Sequence, residues 1–186
     1  MPQGCVTLLN ILVLIMLNYL NELKSCLAKL DLNAILQIIM SLKNAKRRII
    51  FVLGNGGSQA NASHLALHLT QAGYRVKDIM ADLPLLTALS NDFAYSETPQ
   101  RILEKTAKAG DVLFVFSCSG KSPNIINALT LARKLGMITF GCLGTDGGRA
   151  KSLCSQYILV PSSEYGIIED AHSTVLHLFD RELKRV

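Results

Sequence analysis

A chain of 186 residues that is 49% hydrophobic and 18% charged is no disordered or fibrous protein; it has the length of one domain with a sizeable core. Its formal net charge of +5 gathers at Lys43 to Arg48 and at Arg181 to Arg185. No aromatics interleave with these cations, so they read as solvated helix ends rather than a nucleic-acid surface, and their field favours a phosphorylated small molecule. The five cysteines (Cys5, Cys26, Cys118, Cys142 and Cys154) are odd in number and form no CxxC pair, which points to a reducing cytoplasm.

The chain opens on an apolar run, Val6 to Leu17. The run by itself is too short to span a membrane and lacks the basic start and cleavage site of a signal peptide. Either it is a helix buried against a partner subunit, or translation begins at Met16 and the preceding residues are upstream sequence. Leu20, Leu23, Leu27, Leu30, Ile35, Ile38, Ile39 and Leu42 recur at helical spacing, with a break and a new cap at Asp31 to Asn33. Residues 1–47 therefore read as N-terminal helices and 48–186 as the core of a single α/β domain.

Arg48 to Leu53 is a short run rich in β-branched residues; a glycine loop and a helix over about Asn61 to Gln71 follow. Further buried strands are expected at Val76 to Met80, Val112 to Phe116, Ile138 to Leu143 and Tyr157 to Val160. Helices are expected around Ser96 to Lys108, Asn124 to Leu135 and Gly166 to Lys184. Strands that alternate with helices and are continuously apolar predict a five-stranded parallel sheet covered on both faces, a three-layer, doubly wound α/β fold. Ligands of such sheets bind at the carboxyl ends of the strands.

Two loops fall there. Gly54-Asn55-Gly56-Gly57-Ser58 leaves a strand and enters a helix, so its backbone N–H groups and the helix dipole favour an anion. Ser117-Cys118-Ser119-Gly120-Lys121-Ser122 sits between the next strand and helix, and its hydroxyls and amides can wrap a phosphate. Pro123 suits the first turn of the helix after it. Two rival motifs fail. Val115 stands where a Walker A loop needs its first glycine, and Gln59 stands where a dinucleotide fingerprint needs its third small residue.

With Ala62-Ser63-His64, Asn91-Asp92, Gly110-Asp111-Val112-Leu113, Gly144-Thr145-Asp146-Gly147-Gly148, Glu169-Asp170-Ala171-His172 and His177, these loops form an ordered set. From about Leu17 to Val186 the chain resembles the sugar isomerase (SIS) domain family, and within it the phosphoheptose isomerases. The resemblance implies a flavodoxin-like doubly wound fold. It implies isomerisation of sedoheptulose 7-phosphate to D-glycero-D-manno-heptose 7-phosphate for surface polysaccharide, in a cytoplasmic homotetramer with active sites at subunit interfaces. No nucleic-acid or membrane partner is expected. The sugar phosphate is then held at Asn55, Gly56, Gly57, Asn91, Asp92, Ser117, Ser119 and Ser122, with Ser58, Cys118 and Glu169 beside them. The family's metal positions read His64, His68, Glu169 and His177, where the family has His, Glu, Gln and His. Zinc, or another divalent metal, is the implied cofactor.

The residues support a metal set on their own chemistry. His64 and His68 are i, i+4 on one helix face, and Glu169 and His177 are about 80° apart around the last helix. His172, one turn after Glu169, is an additional candidate. All four histidines of the chain lie on these two helices. Ketose–aldose interconversion moves a proton between C1 and C2 and needs a base and an acid. His177 is the expected acid/base, with His68 or Glu169 as its partner. The rival reading is a phosphosugar-binding, non-catalytic tetramer that serves as an adaptor of the replication initiator. Filled acid/base and metal positions favour the enzyme.

Overall fold

A computed structural model describes residues 3–184. Arg185, the last cation of the C-terminal cluster, and Met1, from which the upstream-sequence reading counts, lie outside the described residues. Five strands, β1 (Ile49–Leu53), β2 (Arg75–Asp78), β3 (Val112–Ser117), β4 (Ile138–Gly144) and β5 (Gln156–Val160), form one parallel sheet in the order β2-β1-β3-β4-β5. Between β1 and β3 the chain turns in opposite directions across the sheet. The loops after those two strands therefore diverge and leave a crevice.

Alternation along the strands builds two cores. Ile50, Val52, Phe114, Phe116, Phe140 and Ile158 face α2 (Leu32–Asn44), α3 (Gly56–Gln71) and α8 (Tyr165–Leu183). Phe51, Leu53, Leu113 and Val115 face α5 (Thr98–Thr106) and α6 (Pro123–Lys134). Phe114 is fully buried, with ring centroids 5.2 Å from Phe116, 5.9 Å from Phe140 and 5.7 Å from Phe179. Phe114→Ala is expected to lower the unfolding free energy by about 3–5 kcal/mol, read from denaturant midpoints.

The first helix, α1 (Gln3–Leu27), is longer than the apolar run alone predicts. Leu8–Leu27 is long and apolar enough to cross a membrane by length and composition. Its second half packs on protein: Tyr19, Leu23 and Leu27 lie against the core, and the Tyr19 hydroxyl donates to Asp170 Oδ2 at 2.7 Å. Leu9, Leu12, Met16 and Leu20 remain exposed. Asp31 caps α2, accepting from the Asn33 and Ala34 amides, as the expected break there requires. Two helices have no counterpart in the sequence reading, α4 (Leu83–Asp92) and the short α7 (Gly148–Leu153), and α3 starts at Gly56 rather than near Asn61.

Candidate active site

The crevice between the β1 and β3 loops is a cavity of about 340 Å³. Its floor holds Asn55, Gly56, Gly57 and Ser58 from the first loop and Ser117, Cys118, Ser119 and Ser122 from the second. Tyr165 and Glu169 of α8 form a wall. The N-termini of α3 and α6 both open onto this space. Neither Asn55 nor Ser122, their N-cap residues, uses its side chain to cap its helix, so first-turn amides of both helices are left for a ligand.

The Asn55 side chain is engaged elsewhere. It exchanges hydrogen bonds of 3.0 and 2.8 Å with buried Asn124 at the start of α6, and its Oδ1 accepts from the Tyr95 hydroxyl at 2.6 Å. This amide pair locks the two helix starts together. In the second loop, Ser117 Oγ accepts from the Gly120 amide at 3.0 Å and Ser119 Oγ from the Lys121 amide at 3.2 Å. The hydroxyl protons of both serines stay available to an anion. Gly120 has φ +61°, and a side chain there would collide with the Gly147 carbonyl. Gly57 is required for a different reason: a Cβ would run into the Glu169 carboxylate.

Glu169 is held over the α3 N-terminus. The Cys118 thiol donates to its Oε1 at 3.7 Å, Ser58 Oγ lies 3.5 Å from that sulfur, and Asn61 Nδ2 donates to the Glu169 carbonyl at 2.9 Å. Burial pushes the Cys118 thiol above its ordinary pKa, and the Glu169 charge adds to this. Cys118 therefore stays a thiol that supports Glu169, not a thiolate nucleophile.

Further along the same two helices, His64, His68 and His177 converge. Their ring centroids are 4.5 Å (64–68), 5.0 Å (64–177) and 5.5 Å (68–177) apart, and one ligand nitrogen from each lies within 4.8 Å of the others. Both ring nitrogens of His68 are buried without a hydrogen-bond partner. Burial holds the His68 pKa below its ordinary value, with His64, Lys184 and His177 adding to the effect and Asp180 opposing it. Three clustered imidazoles, one with an orphaned buried nitrogen, fit a divalent metal that keeps an open position for substrate. Glu169 stays outside this cluster, with Gly57 and Cys118.

His172 is fully buried with its ring 5.6 Å from Phe116, apart from the other three histidines. Burial lowers its pKa to about 4, opposed only by the Leu143 backbone. A depressed folded-state pKa gives stability that is present above the ordinary value near 6.5 and lost as pH falls toward 4. Wild type is expected to lose about 3 kcal/mol more than His172→Leu across that window, measured as unfolding free energy against pH.

Asn91 and Asp92, at the exposed end of α4, do not line the cavity of the single chain; Asn91 Nδ2 donates to Asp92 Oδ1 at 3.2 Å. Lys121 is exposed at the rim. Asn124, Tyr95 and Tyr165 went unremarked in the sequence, because an amide one residue past a proline and isolated tyrosines carry no motif.

An all-parallel sheet in this order, with two glycine- and hydroxyl-lined loops at its switch point, defines a phosphate-binding α/β domain. The SIS domain pattern matches residues 18–144. The chain is 40% identical over 135 residues to the phosphoheptose isomerase of Pelobacter propionicus, covering 69% of this chain and 71% of that one. It is 38% identical over 155 residues to that of Aliarcobacter butzleri, covering 78% and 81%. A phosphoheptose isomerase structure from Neisseria gonorrhoeae superposes with a TM-score of 0.89 at 24% identity, over 96% of this chain and 100% of that one. One from Francisella tularensis gives 0.86 at 22%, over 96% and 98%. The chain belongs to the SIS-domain family and, within it, to the phosphoheptose isomerases.

Proposed function

We propose that this protein is an aldose–ketose isomerase that converts sedoheptulose 7-phosphate to D-glycero-D-manno-heptose 7-phosphate. The observation that carries this reading is the pairing of two sites along one pair of helices. A phosphate-shaped crevice lies at the N-termini of α3 and α8, and a histidine cluster lies about two turns further along both. His64 comes seven positions after Gly57 on α3, and His177 eight positions after Glu169 on α8, so each helix contributes to both sites.

In this reading the phosphate sits against the amides of Gly56, Gly57 and Ser58 and the hydroxyls of Ser117, Ser119 and Ser122. Asn55, Asn91 and Asp92 serve the sugar. His64, His68 and His177 hold a divalent metal, with zinc the first choice, which when bound polarises the sugar carbonyl as a Lewis acid. Glu169 takes a proton from C1 of the ketose and delivers one to C2, and the Cys118 thiol steadies its carboxylate. Without metal, His177 and a neutral His68 are the remaining acid/base pair; the depressed His68 pKa favours its acting as a base. The exposed apolar side of α1 supports a homotetramer, with the N-terminal helices of 1–47 covered by other copies and the crevice completed at the interface. The enzyme is assigned to the cytoplasm and to surface polysaccharide synthesis.

The adaptor reading requires sugar-phosphate binding without turnover. Incubation with sedoheptulose 7-phosphate in D2O separates the two. An isomerase working through proton transfer yields aldose that carries deuterium at C2 by NMR. Binding with no exchange and no aldose would support the adaptor.

A further inference from the structure

His68 stands where the family has glutamate, and a residue the resemblance says nothing about faces it. His68 Nδ1 lies 3.0 Å from Asp180 Oδ1, and both atoms are buried. Asp180 is three residues after His177 on α8, so one turn of helix presents a cluster histidine and a carboxylate toward α3 together. The carboxylate is itself anchored. Lys184 Nζ lies 2.7 Å from Asp180 Oδ1 and 3.2 Å from Gln71 Oε1 at the end of α3. The other titratable groups facing His68 are Lys184, His64 and His177; Asp180 is the acid that acts on it.

We propose that Asp180 is a positioning residue that fixes the His68 tautomer and ring orientation. This rests on the reading of the three histidines as a metal set. An imidazole that binds metal through one nitrogen carries its proton on the other, and an acceptor there selects that form. With Asp180 at Nδ1, the proton is drawn to Nδ1 and the lone pair of Nε2 is left for the cluster. Both ring nitrogens are buried without an in-line hydrogen bond, and Nδ1 is the one with a carboxylate in ion-pair reach. Lys184 holds Asp180 in place and ties the C-terminal ends of α3 and α8 together. The substitution of a histidine for the family's glutamate is thus accompanied by a carboxylate that a glutamate at the same place would repel.

The test uses the purified full chain and zinc as the probe. Zinc affinity, measured by competition with a chromogenic chelator, is expected to fall about 10–100-fold in Asp180→Ala. Asp180→Asn, which keeps an acceptor oxygen, should recover most of that loss. A purely structural role would lower thermal stability equally in both variants and leave the affinity of the folded protein unchanged, which would overturn the proposal. Nitrogen chemical shifts of His68 in the metal-free wild type give a check that needs no variant to fold. The proton is expected on Nδ1; finding it on Nε2 would overturn the assignment. If the histidines bind no zinc in wild type, the metal reading itself fails, and the His68 tautomer still decides the role of Asp180.

Discussion

Glu169→Gln is expected to lower kcat about 10²–10⁴-fold while KM stays within a few-fold or falls. The carboxylate lies beside the loop to which the proposed function assigns the phosphate, so removing its charge is not expected to weaken phosphate binding. It removes the only acidic side chain that lines the crevice among the described residues. The substitution also installs the residue that the family carries at this position, so loss of activity cannot be blamed on an alien side chain. The family pairs its glutamine on the last helix with a glutamate on α3; this chain pairs a glutamate on the last helix with a histidine on α3. One carboxylate serves the site in both arrangements, on different helices. His68→Glu combined with Glu169→Gln should therefore regain part of what Glu169→Gln alone loses. Recovery stays incomplete because the carboxylate introduced on α3 would face Asp180, which lies 3.0 Å from the present imidazole. A Glu169→Gln enzyme with wild-type kcat would move the proton transfer to the histidines.

Stripping divalent metal, or replacing His64 by Ala, is expected to lower kcat about 10³-fold. The three imidazoles form a triangle in which His64 is 4.5 Å from the His68 ring and 5.0 Å from the His177 ring. Loss of His64 leaves His68 and His177 at 5.5 Å, with no third nitrogen to complete the set. Chelation and the substitution should cause similar losses, and added zinc should rescue only the chelated wild type. Full activity after exhaustive chelation, with metal content checked by elemental analysis, would favour the metal-free pair of His177 and His68.

The central strands were legible because they are buried on both faces. Runs such as Ile49–Leu53 and Val112–Ser117 carry no polar interruption that would blur them. The start of α3 was not legible, because Gly56 and Gly57 have poor helix propensity and read as loop. Gly56 opens α3 with φ +54°, which favours glycine, and at Gly57 a side chain would run into the Glu169 carboxylate. Nor was α4 legible, a short helix with no fully buried residue, whose Leu85 and Leu89 are only partly buried against the core. At the site, motif order carried the two loops, and i, i+4 spacing carried His64 and His68. What connects them needed three dimensions. The Asn55–Asn124 lock spans 69 positions, and the contact between His68 and Asp180 joins helices far apart in the chain. Sequence spacing placed Glu169 and His177 near one cleft. The structure separates them: Glu169 lines the crevice against Gly57, and His177 lies among the histidines.

The most direct test is steady-state turnover of sedoheptulose 7-phosphate by the purified, zinc-supplied protein, followed as appearance of the aldose. Many turnovers per active site are expected, and none with sedoheptulose lacking the phosphate at the same concentration. Saturable binding of the 7-phosphate with no aldose formed would contradict the assignment as an isomerase.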